Sequence, residues 1–194
     1  IVAGHNVMDG LSMTEDSPFY LVWAVLYQRE VIDFNFFMIR TSYPILPWVG
    51  VIALGFVAGP WFSSDTSPDK RQKKMLTVGA IGLFSFVIIR FLNIYGDAPW
   101  INTSEFSTTL MSFLSLTKYP SSFLFNLSML SLGLVFLCLF EKYGSHKFTR
   151  VFSQFGAAPL FFYALHLAVL KLIYVIAFAI YGPSDSIYLA FPSV

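Results

Sequence analysis

Four runs along the chain stay apolar long enough to cross a bilayer, and the segments between them are short and more polar. A spanning helix takes about 20 mostly apolar residues. On that measure the pattern predicts spans at 45–62, 75–93, 122–140 and 159–181. The run "FYLVWAVLY", Phe19 to Tyr27, is too short to span and predicts an interfacial or re-entrant piece. Between Phe106 and Leu116 the apolar residues Phe106, Leu110, Phe113 and Leu114 keep helical spacing, which predicts a helix lying along the membrane surface. The reading is therefore all-α: a polytopic membrane helical bundle over 1–194, with four transmembrane helices plus short interfacial helices. "GFVAG", Gly55 to Gly59, offers a small-residue face for close helix approach.

Composition agrees. Hydrophobic residues make up 56% of the chain and charged residues 12%, against about 25% charged in a soluble domain. The net charge of +1 leaves no basic excess for nucleic acid. A single cysteine, Cys138, excludes an internal disulfide framework. The three histidines, His5, His146 and His166, share no metal-ligand spacing with one another or with Cys138, so no metal site is expected. The chain opens on "IVAG", which reads as the last turn of a helix begun upstream. The expectation is the C-terminal part of a longer membrane protein, partnered by its own missing N-terminal helices and forming, as one option, a homo-oligomer.

Charge gives direction. "DKRQKK" (Asp69 to Lys74) lies between the first two spans, and Lys142, Lys147 and Arg150 lie between the last two. Short loops rich in Lys and Arg face the cytoplasm, so both links are expected inside and the remaining segments outside.

The fourth span poses the sharpest question, because it carries His166 and Lys171. At ~100° per residue, Tyr163, Tyr174 and Lys171 fall within one arc with His166, and apolar side chains fill the rest. Lys171 lies roughly 18 Å from Pro159 along the axis, near mid-bilayer. A lysine there costs about 2.5–3.5 kcal/mol to insert, so it calls for a carboxylate, a wet cavity or a ligand anion. Two readings satisfy that arc: a ligand path inside the bundle, or interhelical hydrogen bonds that orient the span.

Three further polar clusters fall on the predicted outer side. "GHNVMDG" supplies His5, Asn6 and Asp9; "RFLNIYGDAPW" supplies Arg90, Asn93, Asp97 and Trp100; "TKYPSS" puts Lys118 ahead of the third span. The i, i+3, i+7 spacing allows Arg90, Asn93 and Asp97 to cluster, Gly96 is expected to end the helix, and Asp97 is expected to reach the Arg90 guanidinium. A helix N-terminus beside Lys118 suits an anion. The Pro99–Trp100 pair suits a sugar face. A purely structural Arg90–Asp97 clamp is the plain alternative.

The motifs "GHNVMDG", "YPILPWVGVIALGFVAGP", "RFLNIYGDAPW", "TKYPSSFLFNLSML" and "PLFFYALHLAVL" together resemble bacterial membrane proteins of the heparan-alpha-glucosaminide N-acetyltransferase-like family. The resemblance implies an integral protein of the bacterial inner membrane that transfers acetyl from acetyl-CoA, or acyl from another acyl-CoA, to a sugar or glycolipid. The acyl-CoA would be a co-substrate, with no bound cofactor. It also implies that the family's proposed catalytic His/Asn region, near the first helix of the full-length protein, lies upstream of Ile1. Acyl transfer needs a general base and a stabilised oxyanion. His166 is the first candidate base in this chain, with His5 beside Asp9 the second. Asn6, Arg90, Asn93, Asp97, Trp100, Lys118, Tyr163 and Lys171 are the candidate substrate contacts. The alternatives are one half of a transporter or permease, with His166 and Lys171 lining a solute path, or a structural membrane subunit.

Overall fold

The computed structural model describes residues 1–182 except Ser12 and Asn35. Among the described residues the chain forms seven α-helices and one two-stranded antiparallel sheet. The helices are α1 (Tyr20–Leu26), α2 (Ile45–Ala58), α3 (Pro68–Leu92), α4 (Phe106–Leu114), α5 (Phe123–Lys142), α6 (Lys147–Ala157) and α7 (Pro159–Tyr181). Four are long and apolar enough to span a bilayer: α2 with its 3-10 extension to Phe62, α3, α5 and α7. The protein is a multi-pass integral membrane protein. The chain divides into two compact units, Ile1–Lys142 and a second that begins at Tyr143.

In the first unit α3 and α5 pack against each other as an antiparallel pair. Their contact is close because small residues face it. A Cβ on Gly79 would stand 2.9 Å from the Ser131 backbone oxygen, and one on Gly82 would stand 2.0 Å from Ser131 Oγ. Water offers no drive for association in lipid, so short interaxial distance and dispersion contacts hold such pairs. The expected small-residue face at Gly55 and Gly59 meets no neighbour within 4 Å.

Both ends of the α3–α5 pair are pinned. At one end Arg71 donates through Nε and Nη2 to the two oxygens of Glu141, at 2.9 and 2.8 Å. At the other end the Leu124 amide donates to the Gly96 carbonyl at 3.0 Å. Helix α3 begins at Pro68, so "DKRQKK" forms its first turns instead of a loop. Proline is favoured at the first helical position, and Lys, Arg and Gln are good helix formers.

Strands β1 (Val31–Asp33) and β2 (Met38–Arg40) form a hairpin that the apolar pattern did not reveal. Ile32 joins Tyr20 and Ala24 of α1 in a small buried cluster. Thr41 Oγ1 accepts the Glu30 amide at 2.8 Å and donates to the Gln28 carbonyl at 3.0 Å, which fixes the 28–30 segment beside the hairpin.

The second unit holds α6 and α7, separated by Ala158 alone. The rings of Phe155 and Phe162 meet across that junction at 5.4 Å. Helix α6 was expected as part of a loop. Its N-cap is His146, whose Nδ1 accepts the Phe148 amide.

Candidate functional site

The three polar motifs of the first unit converge at the end of the α3–α5 pair opposite Arg71 and Glu141. Between them lies a cavity of about 670 Å³. Asn6 and Asp9 of the first motif, Asp97 and Pro99 of the second, and Thr117, Tyr119 and Ser122 of the third line it. Tyr27, Gln28 and Arg29, just past α1, complete the wall.

The α3 terminus explains how the second motif reaches this place. Asn93, at φ 56, ends the helix in the left-handed region, a position Asn tolerates better than most residues. Its side-chain amide then pairs with the backbone of Trp100, donating to the carbonyl at 3.0 Å and accepting the amide at 2.9 Å. Trp100 Nε1 donates to the Arg90 carbonyl at 2.9 Å. Gly96 does not end the helix. It turns at φ +92 against Phe123, where any Cβ would lie 3.0 Å from the ring.

Arg90 and Asp97 do not form the expected pair. Arg90 is 2% exposed, and its guanidinium donates to four backbone carbonyls: Phe113, Ala98, Ser112 and Ser115, at 2.8–3.0 Å. Three of those carbonyls belong to the C-terminal turn of α4 and the residue that follows it. A helix C-terminus presents unpaired carbonyls and partial negative charge, so a guanidinium satisfies both. Asp97 turns the other way. Its carboxylate accepts the Thr117 amide at 3.0 Å, the Thr117 hydroxyl at 2.7 Å and the Ser122 hydroxyl at 2.7 Å. An ion pair does form between Arg71 and Glu141, at the other end of the helix pair.

The first amides of α5 are already occupied. Phe123 N donates to Asn6 Oδ1 at 2.7 Å, Leu124 N to the Gly96 carbonyl, and Phe125 N to Ser122 Oγ at 3.0 Å. The expected anion site at this terminus thus meets protein acceptors instead. Lys118 sits nearby with its ammonium 5.1 Å from the Tyr119 ring centroid.

His5 is 2% exposed and lies between two carbonyls, with Nδ1 2.9 Å from Val2 O and Nε2 2.8 Å from Ser121 O. Both ring nitrogens are thus engaged in joining the N-terminal segment to the start of α5. Asp9, by contrast, faces the cavity. Asn6 Nδ2 donates to its Oδ2 at 2.7 Å, and the Tyr27 hydroxyl donates to its Oδ1. Burial, and then the hydrogen bond to Asp9, raises the Tyr27 phenol above its ordinary pKa.

The opposite rim is cationic and aromatic. Arg29 lies 5.7 Å from the Tyr119 ring centroid, so two cations flank one ring. The Tyr43 hydroxyl meets that of Tyr119 at 3.1 Å. That hydrogen bond, followed by the influence of Lys118, lowers the Tyr119 pKa. One buried acceptor, Gln28 Oε1, has no hydrogen-bond partner among the described residues.

In α7, His166 Nδ1 lies 3.3 Å from the Phe162 carbonyl one turn back, and its ring packs against Phe162 and Tyr163. The Lys171 ammonium stands 5.1 Å from the Tyr174 ring centroid. No Asp or Glu occurs between Lys142 and Tyr181, so no carboxylate of this segment can balance Lys171.

Sequence reasoning singled out Asn6, Asp9 and Asp97 in the cavity wall but passed over Tyr27, Gln28, Arg29 and Tyr119. For the first three the signal was the polar end of an apolar run too short to span; Tyr119 stood inside the TKYPSS motif. Among the described residues no group of three His, Cys, Asp or Glu side chains is placed to hold a metal. No family model, curated protein or solved structure matches the chain.

Proposed function

We propose that the cavity is the acceptor site of a membrane acyltransferase-like protein, taking a sugar or glycolipid from the outer side and acyl from an acyl-CoA. One observation carries the reading: three polar motifs far apart in sequence line a single cavity that offers carboxylate acceptors, a guanidinium and aromatic rings. Hydroxyl-rich and amine-bearing ligands are recognised by that mixture of acceptors and ring faces. The resemblance of five motifs to the heparan-alpha-glucosaminide N-acetyltransferase-like family points the same way, as does the orientation implied by the Lys- and Arg-rich links. A bacterial inner membrane is the location that fits both.

In this reading Asp9, the one candidate base that lines the cavity, takes the proton from the acceptor amine or hydroxyl. The acceptor's N–C or O–C bond forms as the thioester C–S bond breaks, and the departing thiolate collects a proton. Arg29 faces the same space and supplies positive charge for the oxyanion. His5 and the Asn93–Trp100 pair hold the walls in position.

The test is full-length protein in proteoliposomes given radiolabelled acetyl-CoA and glucosamine. Acetylated product, lost in Asp9→Asn with an unchanged melting temperature, supports the proposal. Glucosamine flux without acylation overturns it in favour of a transporter. Neither flux nor acylation leaves a structural subunit.

A further inference from the structure

Helix α6 carries an apolar face and a basic face that the proposed activity does not use. At ~100° per residue, Phe148, Val151, Phe152 and Phe155 fall within an arc of about 100°. Arg150 falls on the opposite side, and Lys147 and Gln154 flank the Val151 edge. The apolar residues build on one another, with the Phe148 and Phe152 rings 4.6 Å apart. They are not a buried core: with every described contact counted, Phe148 is 63% exposed and Phe155 48%.

We infer that α6 lies in the plane of the cytoplasmic membrane surface, its phenylalanines in the acyl boundary and its basic side among anionic lipid headgroups. Two observations select this occupant. First, a spanning helix begins at Pro159, with Ala158 alone between it and the end of α6 at Ala157, so the end of α6 is tethered at the membrane boundary. Amphipathic helices with a rich aromatic face and basic flanks partition there. Second, the charge is one-sided. Between Lys142 and Tyr181 the chain has Lys142, Lys147, Arg150 and Lys171 and no acid. Lys147 and Arg150 also sit in the first turn of α6, where the helix dipole disfavours cations. A headgroup phosphate at that turn meets both cations, and so removes the conflict. The inference stands apart from the acyltransferase reading.

The test uses the full-length chain, cysteine-free through Cys138→Ser and its equivalents, with a nitroxide at Val151→Cys or Gln154→Cys. Vesicles are phosphatidylcholine alone or phosphatidylcholine with phosphatidylglycerol. At position 151, oxygen collisions should exceed those of a polar nickel chelate several-fold; at position 154 the order should reverse. In phosphatidylglycerol vesicles, adding Lys147→Gln with Arg150→Gln should lower the oxygen-to-nickel ratio at position 151 at least twofold, towards its phosphatidylcholine value. Equal nickel access at both positions would place α6 in water and overturn the inference. An immobilised label at 151, shielded from both reagents, would do the same by showing a protein partner. A ratio indifferent to phosphatidylglycerol would remove the anionic lipid.

Discussion

Asn6 and Phe123, 117 residues apart, are joined by a 2.7 Å hydrogen bond in which the Asn6 side-chain carbonyl accepts the first amide of α5. The same side chain donates to Asp9. One residue therefore caps a membrane helix and orients the carboxylate that faces the cavity. Asn6→Ala should cost about 1 kcal/mol through the lost cap, seen as a lower melting temperature in detergent. Asp9 would then also lose one of its two donors.

Arg90 satisfies four carbonyls from inside the protein, and a lysine cannot copy that fork. Arg90→Lys should destabilise the first unit by about 1–3 kcal/mol, because carbonyls are left unpaired. Asp97→Asn should leave the Arg90 contacts in place, since the two side chains share no hydrogen bond. Hydrogen exchange at the α4 terminus distinguishes the two variants: it should quicken in Arg90→Lys alone.

Gly79 tests the α3–α5 contact. Its Cβ would press on a backbone oxygen of Ser131, which cannot rotate away as a side chain can. Gly79→Ala should therefore cost about 1–3 kcal/mol through forced separation of the helices, while Gly55→Ala, in open space, should be near neutral. Comparative thermal unfolding of the two variants is the check.

Tyr27 gives the cavity a pH limit. Its folded pKa is raised, so the folded state holds the phenolic proton more tightly than the unfolded chain does. That contribution is complete below the ordinary phenol pKa of about 10 and fades as pH climbs above it towards the raised value. Stability of the wild type should fall in that alkaline window. Tyr27→Phe should remove that component of the decline while costing about 1 kcal/mol at neutral pH through the lost hydrogen bond to Asp9. Chemical unfolding across pH for both proteins measures it.

Orientation follows from charge. Cysteines placed at Lys73 and Lys147 in the full-length protein should react with an impermeant maleimide only from the cytoplasmic side. Labelling of either in intact cells would reverse the assignment.

Much of the architecture was legible in the residues because a bilayer imposes a one-dimensional rule. Hydrocarbon cannot hydrogen-bond a free peptide group, so about 20 apolar residues must be helical, and the spans at 45–62 and 159–181 appear where that rule puts them. The period of α6 is in the residues too, carried by Phe148, Val151, Phe152 and Phe155, but Lys142, Lys147 and Arg150 equally fit a polar link between spans.

What the pattern could not decide is which partner each polar side chain takes. Arg90 and Asp97 have opposite charges at a spacing that favours pairing, yet carbonyls at the α4 terminus claim one and hydroxyls at the α5 terminus claim the other. Spacing describes neighbours along one helix; it carries no record of where α4 and α5 end. Only the folded chain brings those unpaired backbone groups within reach. A buried charge then settles on whichever arrangement leaves the fewest of them unsatisfied.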